Sequence, residues 1–421
     1  YYLIINIIHC GLFMSEHIVI LTIALVVLFY GYISKALANF NISGPMVFTG
    51  LGLLISPLGL DVSDVNIDAE FVTLIAEIAL VLVLFSDAAL LDLKLLRQSW
   101  QLPTRLLLLG LPLMIVFGTL VAQFIFPTEP TLHLLLLALL LAPTDAALGK
   151  AVVTDTQVPK TIRSTINVES GLNDGIVFPV VITVVAMITS GLTNAADTSW
   201  IGFVIKQVGF GALVGAGIGY AGAKLSLISV NKSWMTENYQ NLIPIALAIL
   251  AFYLAEAIGG NGFIAAFFAG LYAGNTSSKT REHIEDFAES EGELLVLISF
   301  FVFGVAFIPA LYDYVSFEVC VYAILSLTLI RMLPAMICLL GAKLNGKRID
   351  IATMGFIAWF GPRGIASILY ALIVTKEIGT IKGFETVYAV VMVTVVLSII
   401  AHGLSAQPLA NRYGNKHKQL L

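Results

Sequence analysis

The chain has 421 residues, of which 58% are hydrophobic and 12% charged, with a formal net charge of −5, and its mean hydropathy is +0.95. Globular domains carry about 25% charged residues, so a soluble enzyme domain and a nucleic-acid-binding protein are both excluded. A bilayer is the expected solvent, and at about 20 residues per helical span the chain holds a dozen or so spans and short loops.

Thirteen apolar segments follow one another, at 17–34, 44–60, 71–92, 102–126, 131–152, 164–190, 199–224, 238–258, 259–275, 291–310, 316–341, 351–375 and 383–409. The second and the ninth are short and Gly-rich, so their ends are soft. Residues 1–13 (YYLIINIIHCGLF) are too short to span alone and lack the basic flank of a signal peptide, which makes Met14 the expected start. Cys10, Cys320 and Cys338 are far apart and the histidines show no ligand spacing; neither a disulfide framework nor a transition metal is expected, and no cofactor is indicated.

Basic residues orient the segments, because cytoplasmic loops collect Lys and Arg. With the N-terminus outside, the inward loops and C-terminus hold Lys35, Lys94, Arg97, Arg105, Lys150, Lys160, Arg163, Lys224, Lys232, Lys279, Arg281, Lys343, Lys347, Arg348, Arg412, Lys416 and Lys418, while Lys206, Lys376 and Lys382 fall outside. The outer loop DVSDVNIDAE, with Asp61, Asp64, Asp68 and Glu70, reads as a solvated acidic surface.

Weak internal similarity divides the chain. GPMVFTGLGLL from Gly44 resembles GFIAAFFAGLY from Gly262; the stretches around Phe85 and Phe303, and around Pro143 and Gly361, match at the same separation. This predicts a first six-helix repeat over 17–190, a linking helix within 191–234, a second repeat over 235–409 that the odd linker inverts, and a short cytoplasmic tail at 410–421. Pro143 in one repeat and Gly361–Pro362 in the other interrupt membrane helices at matching places, because proline removes a donor and clashes with the preceding turn. Such breaks mark transport sites in membrane proteins. Arg363, beside the second break, is expected to neutralise helix ends where the two interrupted helices cross.

The segment 164–190 opens with ESGLND, Glu169 to Asp174. A carboxylate at mid-bilayer costs about 2.5–3.5 kcal/mol even on insertion scales, so two of them within one apolar segment indicate function. Ser170 and Asp174, four residues apart, share a helix face.

Together, APTDAAL at 142–148, ESGLND at 169–174, the isolated intramembrane Arg331 and FGPRGIAS at 360–367 resemble the monovalent cation:proton antiporter superfamily, in its NhaP/sodium–proton exchanger branch. The resemblance spans about 17–409. It implies an all-α polytopic membrane protein of about thirteen helices with an NhaA-type fold, two inverted six-helix repeats and two broken crossing helices. It further implies a homodimer, with a dimerisation domain beside a mobile core, in the cell (inner) membrane, exchanging Na⁺, Li⁺ or K⁺ against H⁺. The titrating carboxylate that holds the monovalent cation falls on Asp174, the preceding amide on Asn173, the threonine and aspartate of the first break on Thr144 and Asp145, the cation-contacting serine on Ser170, and a buried ion pair on Glu169 and Arg331. Ala146 stands where many members have proline, and only a short stretch follows the last span, without a regulatory tail.

On this reading, oxygens of Asp174, Ser170 and Thr144 with water suit a hard cation, Asn173 orients the break by hydrogen bonding, and Glu77 in the third span reaches the site through water. Proton and cation compete for Asp174. With Asn173 unable to titrate and Glu169 held by Arg331, the exchange is expected to be one for one and electroneutral. The alternative is a sodium-coupled solute symporter on the same fold. An intramembrane aspartyl protease would also bury two aspartates, yet the glycine-x-glycine-aspartate pattern is missing here; a channel would conduct without pH competition.

Overall fold

The computed structural model describes residues 2–61, 70–91, 93, 100–145, 148–153, 155, 157–189, 199–287, 292–344, 347–379 and 382–416. Ala146, Asp64, Asp68, Lys94, Arg97, Lys418 and residues 191–198 of the expected linker lie outside them.

The described residues are almost wholly helical. The helices are α1 (Tyr2–Asn39), α2 (Gly44–Ile55), α3 (Glu70–Leu90), α4 (Gln101–Ile125), α5 (Thr131–Leu140), α6 (Lys150–Val153), α7 (Lys160–Thr189) and α8 (Ser199–Asn231). They continue as α9 (Glu237–Ala257), α10 (Gly262–Thr276), α11 (Ser278–Phe287), α12 (Glu293–Tyr314), α13 (Phe317–Leu339), α14 (Ile351–Trp359), α15 (Ile365–Ile378) and α16 (Glu385–Lys416). A two-residue hairpin, β1 (Lys343–Leu344) with β2 (Lys347–Arg348), joins α13 to α14. Among the described residues, 8 helices are long and apolar enough to cross a membrane, and α2 and α5 are shorter apolar helices. The protein is therefore an integral, multi-pass helical membrane protein. Helix α1 runs through residues 2–13 without interruption, and the last helix continues through Lys416.

Two of the apolar segments do not form continuous helices. The segment 131–152 ends its helix at Leu140, runs non-helically through Asp145 and resumes at Lys150; the segment 351–375 ends at Trp359 and resumes at Ile365. Proline explains both places. Pro362 has no N–H for Ala358 O, and that carbonyl is taken instead by Arg331 Nε at 3.2 Å. Pro143 likewise leaves Leu139 O, which accepts Ala142 N at 3.1 Å.

Close helix packing brings α3 to the centre. Gly270 and Gly274 of α10 lie against Phe85 O and Ala89 O of α3, so tightly that a Cβ at either would overlap the carbonyl. On its other side, α10 receives Gly215 and Gly219 of α8 against Ala265 O and Ala269 O. Small residues four apart let helix backbones approach where lipid offers no hydrophobic drive for association. The α8–α10–α3 layer that results presents Asp87 of α3 to α7: a Cβ on Gly171 would stand 3.6 Å from Asp87 O.

Candidate ion-binding site

Asp174 lies near the middle of α7, roughly 20 Å along the axis from either end, and is 4% exposed. Its Oδ1 has no hydrogen-bond partner among the described residues. A buried carboxylate oxygen without a donor is costly unless something completes it. Asp87 and Asp145 are both near enough to act on Asp174 electrostatically, and they act on each other. Tyr370 of α15 donates from its hydroxyl to Asp174 O at 3.0 Å, fixing α15 against this turn of α7.

The same turn holds the first break. Ser170 Oγ donates to Thr144 O at 2.5 Å and Asn173 Nδ2 donates to Thr144 Oγ1 at 2.6 Å. Both oxygens of Thr144 are thus tied to α7 by residues three apart on one helix face. Asn173 Oδ1 is left without a partner among the described residues. Ser170, Asn173, Asp174, Thr144 and Asp145 are brought together and buried.

The two breaks cap one another. Asp145 N donates to Pro362 O at 2.8 Å, and Asp145 Oδ2 accepts from Ile365 N, the first residue of α15, at 2.9 Å. Arg363 Nη1 donates to Ala142 O at 2.8 Å and to Pro143 O at 3.0 Å, just past the C-terminus of α5. A carboxylate therefore sits at a helix N-terminus and a guanidinium at a helix C-terminus, which complements both dipoles. Gly364 makes the contact possible, since a Cβ there would overlap the Asp145 carboxylate.

Glu169 turns away from this cluster to Arg331 of α13, which is 1% exposed. The pair is bidentate, Nη1 to Oε1 at 2.5 Å and Nη2 to Oε2 at 2.8 Å, the geometry guanidinium and carboxylate prefer. Arg331 also reaches Ala358 O and Met114 Sδ. It directly follows a π-helical turn, Ser326–Ile330, and Met114 follows another, Leu106–Gly110; such turns re-aim side chains at functional sites.

Glu77 is the exception among the residues read from the sequence. Its Oε2 accepts from Lys376 Nζ of α15 at 2.9 Å, in a pair that is partly exposed. Three turns of α3, roughly 15 Å, separate it from Asp87. The carboxylate that α3 brings to Asp174 is Asp87, which the sequence reading passed over. The signal was present as a lone acid inside VLVLFSDAAL, but its closeness to the end of the apolar segment makes it look like a boundary charge.

Residues 21–412 match the family described as sodium/hydrogen exchanger, transmembrane. The chain is 25% identical over 272 residues to a K⁺/H⁺ antiporter NhaP2 of Shewanella oneidensis, covering 64% of this chain and 46% of that protein. It is also 25% identical over 337 residues to a K⁺/H⁺ antiporter NhaP of Alkalimonas amylolytica, covering 79% and 56%. Thus the chain spans about half the length of these relatives. A Na⁺/H⁺ antiporter NhaP of Pseudomonas aeruginosa is 25% identical over 351 residues, 78% of each chain. The structure of the sodium proton antiporter MjNhaP1 from Methanocaldococcus jannaschii superposes with a TM-score of 0.74 at 19% identity, over 95% of this chain and 100% of that one, which shows a shared fold. With a match that runs almost from end to end of the described helices, the chain belongs to the sodium/hydrogen exchanger family of membrane transporters.

Proposed function

We propose that this protein exchanges one monovalent cation, Na⁺, Li⁺ or K⁺, for one proton by alternating access, with no net charge moved. The observation that carries this reading is the unmatched Oδ1 of Asp174, buried at mid-helix with two further carboxylates within electrostatic reach. A proton or a cation completes the same oxygen, so the two exclude one another. Loaded with either, Asp174 carries no net charge and the site can move through the membrane; the bare carboxylate is costly to carry.

The neighbouring residues take distinct roles. Hydroxyl oxygens of Ser170 and Thr144 supply further hard ligands, and Asn173 holds Thr144 in place. Asp145 and Arg363 cap the crossing helices, and the Glu169–Arg331 pair anchors α7 to α13. Asn173 cannot titrate, which keeps the count at one proton per cation. The names of the relatives, K⁺/H⁺ and Na⁺/H⁺ antiporters, support exchange of a monovalent cation and leave both ions as substrates to be tested.

The architecture proposed with this activity is a thirteen-pass homodimer of the cell membrane. Its N-terminus lies outside and its C-terminus in the cytoplasm, with repeats over 17–190 and 235–409 inverted about a linking helix in 191–234. The reciprocal caps of the two breaks support the inversion, since each break contributes the group that neutralises the other. Liposomes containing the purified protein and a trapped pH dye test the reading: Na⁺, Li⁺ or K⁺ added in turn is expected to move protons, and choline is not. Proton movement indifferent to the cation overturns it. Uptake of an organic solute without a matching proton flux replaces it with a symporter.

A further inference from the structure

The second break is held from behind by one face of α16. Ser398, His402 and Ser405 are spaced four and three residues apart, which places them in a row on one side of a helix. Ser398 Oγ accepts Arg363 N at 2.8 Å. His402 Nε2 lies 3.1 Å from Trp359 O, and Nδ1 lies 3.1 Å from Ser398 Oγ and from Ser398 O. Ser405 Oγ accepts Trp359 Nε1 at 3.0 Å, and the imidazole stacks on the Trp359 ring with centroids 4.8 Å apart. Trp359 is the last residue of α14, and Arg363 is the residue that caps the first break. The row therefore grips the interruption at both of its ends.

Two carbonyls that can only accept face the ring at equal distance, Trp359 O at Nε2 and Ser398 O at Nδ1, and a neutral imidazole has one hydrogen to give. The Nε2–H tautomer gives that hydrogen to Trp359 O. Ser398 Oγ has already accepted from Arg363 N and has one hydrogen to give. In the Nε2–H tautomer that hydrogen goes to Nδ1, giving an unbroken row: Arg363 N–H to Ser398 Oγ–H to His402 Nδ1, and His402 Nε2–H to Trp359 O. Every atom in it is satisfied, and both Ser398 and His402 are fully buried, at 0% and 1% exposure. One histidine–serine pair thus contacts both the carbonyl that ends α14, which also accepts Gly361 N at 2.8 Å, and the amide of Arg363 just ahead of α15.

We infer that His402, acting through Ser398, is a positioning residue for the ion site: it sets the span between Trp359 and Arg363 and so places Arg363 on Ala142 O and Pro143 O, and Asp145 at the N-terminus of α15. The inference rests on the exchange proposed above for its transport consequence, and on geometry alone for its effect on the break. His402→Leu keeps much of the volume and removes both ring nitrogens. Ser398→Ala removes the link to Arg363 N. His402→Gln restores one donor and one acceptor on a single side chain.

Two measurements on the whole 421-residue chain separate positioning from bulk stability. Hydrogen exchange followed by mass spectrometry, in nanodiscs without transport, is expected to show amides in 360–368 exchanging roughly tenfold faster in His402→Leu and Ser398→Ala, with protection restored in His402→Gln. In proteoliposomes the half-saturating cation concentration is expected to rise about tenfold in the same two variants, with maximal rate and melting temperature little changed, and to return in His402→Gln. Unchanged protection of 360–368 overturns the inference whatever the protein transports. Equal damage from His402→Gln and His402→Leu, or a loss of rate and melting temperature at constant half-saturation, reduces His402 to a packing residue and also overturns it. Absence of exchange by the unmodified protein defeats the proposed function and leaves the hydrogen-exchange test standing.

Discussion

Arg331 holds both carboxylate oxygens of Glu169 from a helix that is distant in sequence, and both residues are buried. Removing one partner leaves the other as an unpaired buried charge, which costs roughly 3–5 kcal/mol, while removing both leaves none. Glu169→Ala and Arg331→Ala are each expected to lower the melting temperature markedly, and the double variant to recover part of the loss. Thermal unfolding of the three proteins in detergent checks this; strictly additive losses would mean that the pair is not coupled.

Asp174→Asn keeps the volume and adds hydrogen-bonding capacity at the unmatched Oδ1 position, yet it removes the charge proposed to trade a proton for a cation. Exchange is expected to vanish while the elution profile and melting temperature are retained. Full exchange by the well-folded variant would remove Asp174 from the proposed mechanism.

The reciprocal caps predict non-additivity. Asp145→Ala removes the acceptor at Ile365 N, and loss of such a cap costs about 0.5–2 kcal/mol. Gly364→Ala should cost at least as much, because its Cβ overlaps the Asp145 carboxylate and displaces it. The double variant is expected to be no less stable than Gly364→Ala alone, as one cap cannot be lost twice. Chemical or thermal unfolding of the set measures it.

Asp87 and Glu77 lie on the same helix and predict opposite outcomes. Asp87 adds negative charge within reach of Asp174, so Asp87→Asn should raise the half-saturating cation concentration several-fold, roughly the effect of 1 kcal/mol. Glu77 is engaged with Lys376 in a partly exposed pair, of a kind contributing about 0–1 kcal/mol; Glu77→Gln should leave half-saturation unchanged. Cation titrations of proton flux in proteoliposomes distinguish the two.

Charge balance gives the last prediction. With Asn173 amidic and Glu169 engaged by Arg331, one cation is expected to exchange for one proton. A net charge crossing 100 mV would be worth about 2.3 kcal/mol, so the rate should stay the same when a clamped potential is reversed. A rate that follows the potential would show that a second carboxylate, Asp87 or Asp145, carries a proton as well.

Membrane class and family were legible from the chain itself, because they rest on properties each residue carries locally. Apolar runs dictate partition into lipid, and Pro143 and Pro362 stand at matching places beside polar residues, which located both interruptions, whereas Pro179, Pro244, Pro334 and Pro408 lie inside continuous helices. Ser170 and Asp174 sharing a face likewise follows from the helical period alone. What each buried charge meets is not a local property. Glu77 and Asp87 are both lone acids in one apolar segment, and nothing in that segment says which will face Asp174. The choice is made by rotation of α3 about its axis, set by Gly270 and Gly274 of α10 pressing on Phe85 and Ala89. In the same way, nothing in the last span says what Ser398 and His402 will meet until α16 lies against the second break. Tertiary packing decided these pairings, because a hydrogen bond between residues far apart in sequence depends on where two helices touch, and hydropathy carries no record of that.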